Sequence, residues 1–249
     1  MNPVMIGSGS ACVLACLACY VWGYRRAALR YDIISEVPTV AARDIPGLGA
    51  AMVEVKGVAQ AETPLLSDLA RVPCVAFNSH VTEQWTTTRT ERDKEGHTRI
   101  VTEHHSETRY ENEQQIAFKI CDDSGSVVVH PEGASIDMLD GMELAGIDRP
   151  QPDSPACDVS TAHGGSLSFN ESVFPLDTKT YVLGQVSENN EIVAPTVVKR
   201  PFVISYLTEE SLLKRARWGK RARSVLTLLL FGAAMMLWGV GLQLVDVGR

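Results

Sequence analysis

The sequence predicts a mainly β domain, antiparallel and barrel- or sandwich-like, carried between two transmembrane α-helices. Three observations predict it. Near each end of the 249 residues lies a long run without a charged side chain: Val4–Trp22, 19 residues, and Val225–Val245, 21 residues. Lys and Arg crowd the inner flanks of both runs. Between them, apolar residues recur in short stretches, often with the two-residue period of strands, separated by clusters of Gly, Pro, Asp and Ser.

The apolar runs fix the ends of the architecture. At about 1.5 Å per residue, a 20-residue helix covers roughly 30 Å, the hydrocarbon thickness of a bilayer. In the second run only Thr227 and Gln243 are clearly polar. The layout expected is a transmembrane helix at 4–23, a neck at 24–46, a β domain at 47–207, a basic juxtamembrane helix at 208–224 and a second transmembrane helix at 225–245. Arg25, Arg26 and Arg30 follow the first run, and Lys214, Arg215, Arg217, Lys220, Arg221 and Arg223 precede the second, with no acid among them. These nine side chains are the expected contacts with lipid headgroups. By the positive-inside rule they place the central domain on the cytoplasmic side of a two-pass integral membrane protein.

Two other readings of the first run are weaker. A cleaved signal peptide starts with basic residues, and none precedes Val4. Val13-Leu14-Ala15-Cys16 resembles a lipobox, but the same missing cations and the arginines after the run disfavour it. Gly7, Ala11, Ala15 and Cys19 form a small-residue stripe. It serves either as a surface for the second helix or a second copy, giving self-association, or simply reflects how common such residues are in membrane helices.

Charge narrows the function classes. Residues 31–213 hold 13 Lys and Arg against 29 Asp and Glu, a net charge of −16. A domain so acidic is a poor nucleic-acid binder, because neutralising phosphates requires cations. The expected partners are therefore the lipid bilayer and a protein or lipid-linked ligand. Cys12, Cys16 and Cys19 lie in the first apolar run, and Cys74, Cys121 and Cys157 are scattered through the domain. Three isolated thiols make no disulfide framework, and a reducing compartment is the simpler assumption.

Within the domain, Val53, Val55 and Val58 predict a strand with a bulge or bend at Gly57. Ala61–Ser67, containing Pro64, reads as a loop, and Cys74 to Trp85 as a second strand. Thr86–Thr98 reads as an exposed polar hairpin around Asp93-Lys94-Glu95-Gly96, followed by a strand at Thr98–Thr102. Ile116, Phe118 and Ile120, then Asp122-Asp123-Ser124-Gly125 and Val127-Val128-Val129, predict a hairpin with a polar turn. Asp148–Gly165 reads as a flexible insertion. Thr180–Val186 and Phe202–Ser205 read as the last strands, with Glu188–Glu191 as the turn between. Thr208 is an N-cap for the basic helix, with Ser211 where a capping box favours Glu or Gln.

No residue set in the chain assembles into a catalytic, cofactor or metal site by spacing alone. His104 and His105, with Glu103, Glu107 and His97 nearby, are ligand types for zinc. Adjacent residues of a strand point to opposite faces, however, so the reading favoured is a solvated hairpin. His163-Gly164-Gly165-Ser166 resembles the oxyanion loop of α/β-hydrolases, but no Gly-x-Ser-x-Gly elbow accompanies it. Cys74, Cys121, Ser166, His130 and His163 are the candidates if the protein is an enzyme, and nucleophile–histidine contact is the test.

Several segments resemble, in order, the GIDE family: Val53–Ala59, Thr63–Ser67, Pro73-Cys74-Val75, Asp123–Val129, Pro131–Ala134, Tyr181–Gln185 and Phe202–Ser205. The resemblance covers roughly residues 45–215 and extends to the flanking apolar runs. It implies a β domain held beside a membrane, and by the family's name it implies ubiquitin ligase chemistry. In the family's mitochondrial ligase that chemistry needs a zinc-binding RING, and no Cys/His series with RING spacing occurs in these residues. The function expected is a non-catalytic binding or scaffolding module; the alternative is a tethered ubiquitin-type transferase or hydrolase. The family's mitochondrial member also places this domain between the two mitochondrial membranes, opposite to what the cations here predict.

Overall fold

The computed structural model describes residues 36–92, 98–197, 200–214 and 218. Both apolar runs and the membrane-contact cations other than Lys214 lie outside them. No helix among the described residues is long and apolar enough to cross a membrane. Pro38–Leu207 forms one compact unit, and the described residues on either side of it belong to another.

The unit Pro38–Leu207 is mainly β and mostly antiparallel. Its elements are β1 (Met52–Gln60), β2 (Leu65–Leu66), β3 (Pro73–Arg92), β4 (Thr98–Gln115), β5 (Phe118–Asp122), β6 (Gly125–Val129), β7 (Ser135–Ile136), β8 (Leu139–Asp140), α1 (Gly141–Ala145), β9 (Ser166–Pro175), β10 (Lys179–Val186), β11 (Ile192–Val193) and β12 (Val203–Ser205). Five strands close on themselves. β1 pairs with both β10 and β5, β5 with β6, β6 with β11 through the parallel bridge Val129–Ile192, and β11 with β10. β12 and β7 extend this sheet from β10.

The alternation read from the sequence fills the barrel. Val53, Val55, Ile120, Val129, Val182 and Ile192 are buried in one core. The hairpin at Phe118–Val129 forms as expected, with Asp122 Oδ1 accepting from the N–H groups of Ser124 and Gly125. The register of β1 against β10 runs unbroken through Gly57, so the expected bulge does not form there. The end of the segment read as a neck is packed: Ala42 and Ile45 enter the barrel core, and Val40 donates to the Glu54 carbonyl.

The second sheet is built on β3, paired with β4 on one side and β9 on the other, with β8 beyond β9 and β2 at one end. The polar hairpin expected at Thr86–Thr98 belongs to a much longer one, because β3 runs without a break from Pro73 to Arg92. Thr82, Thr86, Thr87, Thr88 and Thr90 are β-branched and hold an extended backbone without needing burial. Phe77, Ser79, Val81 and Glu83 are buried on one face of β3; Phe77 packs with Cys74 and Val173, and Val81 lies under a cover made by Leu69, Ala70, Met142 and Ala156. The stretch 148–165 belongs to this cover and is pinned, contrary to the flexible insertion expected. Gln151 N–H donates to the Leu69 carbonyl, and Ala156 is fully buried.

In the other unit, residues 209–214 are helical. Thr208 caps them: its hydroxyl accepts from Ser211 N–H at 3.4 Å and meets the Ser211 hydroxyl at 3.0 Å.

Candidate functional site

β9 accompanies β3 only as far as the Gln84–Ser166 pair. Beyond it, among the described residues, Trp85–Arg92 and Thr98–His105 pair only with each other. They form a two-stranded arm roughly 25 Å long at about 3.3 Å per residue. Its base is the most chemically dense place in the domain.

Glu83 is the centre of that base. Its side chain is fully buried on β3, and the 162–165 loop wraps around it. The carboxylate accepts from the N–H groups of Ala162 (2.9 Å), His163 (2.8 Å) and Gly165 (3.3 Å). Burial works against its charge. The three N–H groups and the His163 side chain outweigh it and hold the carboxyl down at about 2. Two glycines make the wrap feasible. Gly164 has φ +69°, a left-handed conformation, and a Cβ on Gly165 would lie 2.2 Å from the Gln84 carbonyl oxygen.

Three further side chains converge on Glu83. His163 Nδ1 is 3.5 Å from Glu83 Oε2 and 3.9 Å from Glu107 Oε2. Arg109 reaches the same two oxygens more loosely, with Nε 3.8 Å from Glu83 and Nη1 3.5 Å from Glu107. The ladder explains its position. β4 has a bulge opposite Val81/Thr82, so Arg109 has no partner on β3 while Glu107 faces Glu83. Two residues further out, Trp85 stacks with His163 (centroids 4.0 Å apart, planes at 8°) and with its cross-strand partner His105 (5.2 Å, 18°). An open, mainly polar cavity of about 610 Å³ lies here, lined by residues including Trp85, His104, His105, His163 and Ser166.

The candidates for enzymatic chemistry are not brought together. Cys74 is buried, and burial first, then the Glu171 charge, push its thiol up to about 12. Such a thiol carries essentially no thiolate near neutral pH. Cys121 donates to Gln60 Oε1, the Ser166 hydroxyl to the Gln84 carbonyl, and His130 meets Glu191 at 3.1 Å. Among the described residues, neither Ser166 nor any thiol is hydrogen-bonded to a histidine. The oxyanion-loop reading of His163-Gly164-Gly165-Ser166 fails on direct grounds, because the His163 and Gly165 N–H groups are already given to Glu83. His104 and His105 lie at successive positions of β4, opposite Thr86 and Trp85, and so face opposite ways. Spacing missed Glu83 and Arg109, whose partners are distant in sequence; Glu83, an isolated acid in an alternating strand, was the available signal.

A family model described as "GIDE: E3 Ubiquitin ligase" matches residues 86–239. The chain belongs to the GIDE family. No curated protein and no solved structure matches it. The matched stretch begins in the arm and includes every strand from β4 onward, so most of the arm, the Met142 and Ala156 part of the cover and four of the five barrel strands fall within it, with Glu83 and Trp85 just before it.

Proposed function

We propose that this GIDE protein is a membrane-anchored binding and scaffolding module that recognises a protein or lipid-linked partner through the arm and its base, without catalysing a reaction. The observation that carries this reading is the use of the base's polar groups. The Ala162, His163 and Gly165 N–H groups are consumed by Glu83, and among the described residues neither Ser166 nor a thiol is hydrogen-bonded to a histidine. What stays available is a half-buried tryptophan flanked by histidines at the root of a protruding ribbon. Such an aromatic anchor beside a polar cavity suits recognition. Anchorage rests on the two apolar runs and the nine cations at their inner ends.

Affinity purification of the full chain in mild detergent tests the reading. A specific partner should be recovered with the wild type and lost with Trp85→Ala. Recovery of no partner, or equal recovery with the variant, counts against it. Sidedness is read separately from Cys157, whose side chain is exposed. Cytoplasmic placement of the domain requires that an impermeant thiol reagent reach Cys157 only after permeabilisation.

The family description supports a second reading, a tethered ubiquitin-type transferase. It requires a thioester on a cysteine or recruitment of a charged carrier enzyme. A ubiquitin adduct that is lost on reduction and absent from a Cys121→Ser/Cys157→Ser variant would favour it.

A further inference from the structure

We propose that Glu83, Glu107 and His163 form a binding site for one divalent transition-metal ion of the zinc type, and that Arg109 occupies the place of that ion when it is absent. The three residues come from β3, β4 and the cover loop, and one ligand atom from each lies within 4.8 Å of the others. The atoms that converge are His163 Nδ1, Glu83 Oε2 and Glu107 Oε2, with two of the separations 3.5 and 3.9 Å. Bonds of about 2.0–2.2 Å from zinc to nitrogen and oxygen put ligand atoms roughly 3.3 Å apart around a tetrahedron. The existing spacings need only a modest contraction.

Three features distinguish this group from an ordinary acidic patch. It contains an imidazole, which selects borderline ions such as zinc over magnesium or calcium. Its central carboxylate is fully buried and held by three backbone N–H groups, His163 and Gly165 on Oε1 and Ala162 on one lone pair of Oε2, so orienting it costs little on binding. Its side chains also differ in exposure. Glu107 and His163 are roughly half exposed, and His163 lines the cavity, which leaves an approach for the ion and an open coordination position. Arg109 is held at 3.5–3.8 Å from the two carboxylates, a loose geometry for a guanidinium. It neutralises the pair yet can swing out along its partly exposed side. Ligation by Nδ1 puts the imidazole proton on Nε2. The ion would then tie β3, β4 and the 162–165 loop together at the root of the arm.

The test uses the full chain in detergent, stripped with chelator and dialysed against zinc chloride, with bound metal measured by mass spectrometry and the affinity by titration. Cobalt(II) substitution adds a ligand-field spectrum as a direct readout of coordination. About one equivalent is expected at the site. His163→Gln and Glu107→Gln should each weaken binding at least 10- to 100-fold, since loss of mere outer-shell partners already costs about that much. Both positions are partly exposed, so these variants should keep the wild-type circular dichroism. Arg109→Gln should tighten binding several-fold by removing the competing cation. No bound metal, or an affinity left unchanged by either ligand substitution, overturns the site. Weaker binding in Arg109→Gln overturns the competition.

Discussion

Inside the five-strand barrel, Val53, Val55, Ile120, Val182 and Ile192 are buried against one another, and the strands are sealed by apolar contact. Under the long-stranded sheet the inward positions include Ser79, Glu83 and Glu171, which are sealed by hydrogen bonds instead. Glu171 accepts from the N–H groups of Leu69 (2.6 Å) and Ala70 (2.9 Å) and from the Ser79 hydroxyl (2.6 Å). Asp68 accepts from Tyr110 and Asn112. Among the described residues, no buried side-chain polar atom lacks a partner. The difference teaches that one half of the domain is stabilised mainly by area removed from water, with Glu54 and Asp122 as local polar fastenings. The other half relies more heavily on buried carboxylates to fasten irregular loops in one conformation, and the arm base is its product.

The largest effects separate the two mechanisms. Ile120→Ala in the barrel should cost about 2–5 kcal/mol, and Ile120→Val only about 0.5–1.5 kcal/mol. Glu171→Ala removes the acceptor of three buried donors at about 1–3 kcal/mol each, so it should cost at least as much as the barrel truncation. Glu171→Gln keeps an acceptor and should recover part of the loss. Denaturant unfolding followed by circular dichroism measures all four. A Glu171→Ala cost no larger than that of Ile120→Val would erase the distinction.

A smaller and local effect is expected at Gly165. A methyl group there meets the Gln84 carbonyl at 2.2 Å, so Gly165→Ala must lift the loop or bend β3. Overpacking of this kind costs about 1–3 kcal/mol. Hydrogen exchange should rise at the Ala162, His163 and Gly165 amides and stay unchanged at Val55 and Ile120 in the barrel. Equal loss of protection in both places would mean that the halves are not independently held.

The same contrast explains what could be read from the sequence. The barrel was legible because Phe118–Asp122 alternates, because Lys179–Val186 carries the continuous apolar run Tyr181-Val182-Leu183 of a strand buried on both faces, and because Asp122–Gly125 is a recognisable turn. β9 was largely missed, since its inward row Leu167, Phe169, Glu171, Val173 is interrupted by a carboxylate whose partners lie about a hundred residues away. The length of β3 was missed for the converse reason. Its outer half is polar on both faces and extended only by its backbone ladder to β4. Family membership was legible from short ordered motifs. The arm base was not, because Glu83, Arg109 and His163 acquire meaning only when three separate segments meet.

Acid should act on each half through one carboxylate. Glu83 is lowered from 4.5, and Asp122 in the barrel hairpin from 3.8, both to about 2. For Asp122 the first cause is the Ser124 hydroxyl, followed by the Ala42 N–H. Groups held below their unfolded values stabilise fully above those values and lose that contribution as pH falls through the folded ones. Amide protection at His163 and Ala42 should therefore persist from neutrality to about pH 4.5 and decline between there and pH 2. Protection at His163 that survives unchanged to pH 2 would mean that Glu83 is not the group holding the loop.

The smallest effect should come from the most conspicuous charges. On the arm, Arg89 reaches Glu91 at 2.8 Å and Glu103 at 3.0 Å, and Arg99 reaches Glu91 at 2.7 Å. Arg89 is 62% exposed and Arg99 73%, so water and salt screen both. Exposed pairs of this kind contribute about 0–1 kcal/mol. Arg89→Ala should hardly change stability, and its effect should fall further in high salt. If the arm is instead held by the uninterrupted β3–β4 ladder, exchange at the hydrogen-bonded amides of Thr88–Thr90 and Ile100–Thr102 will stay slow in the variant. Fast exchange there would make the charge network the arm's scaffold and would place the polar half's organising principle in solvent rather than under its cover.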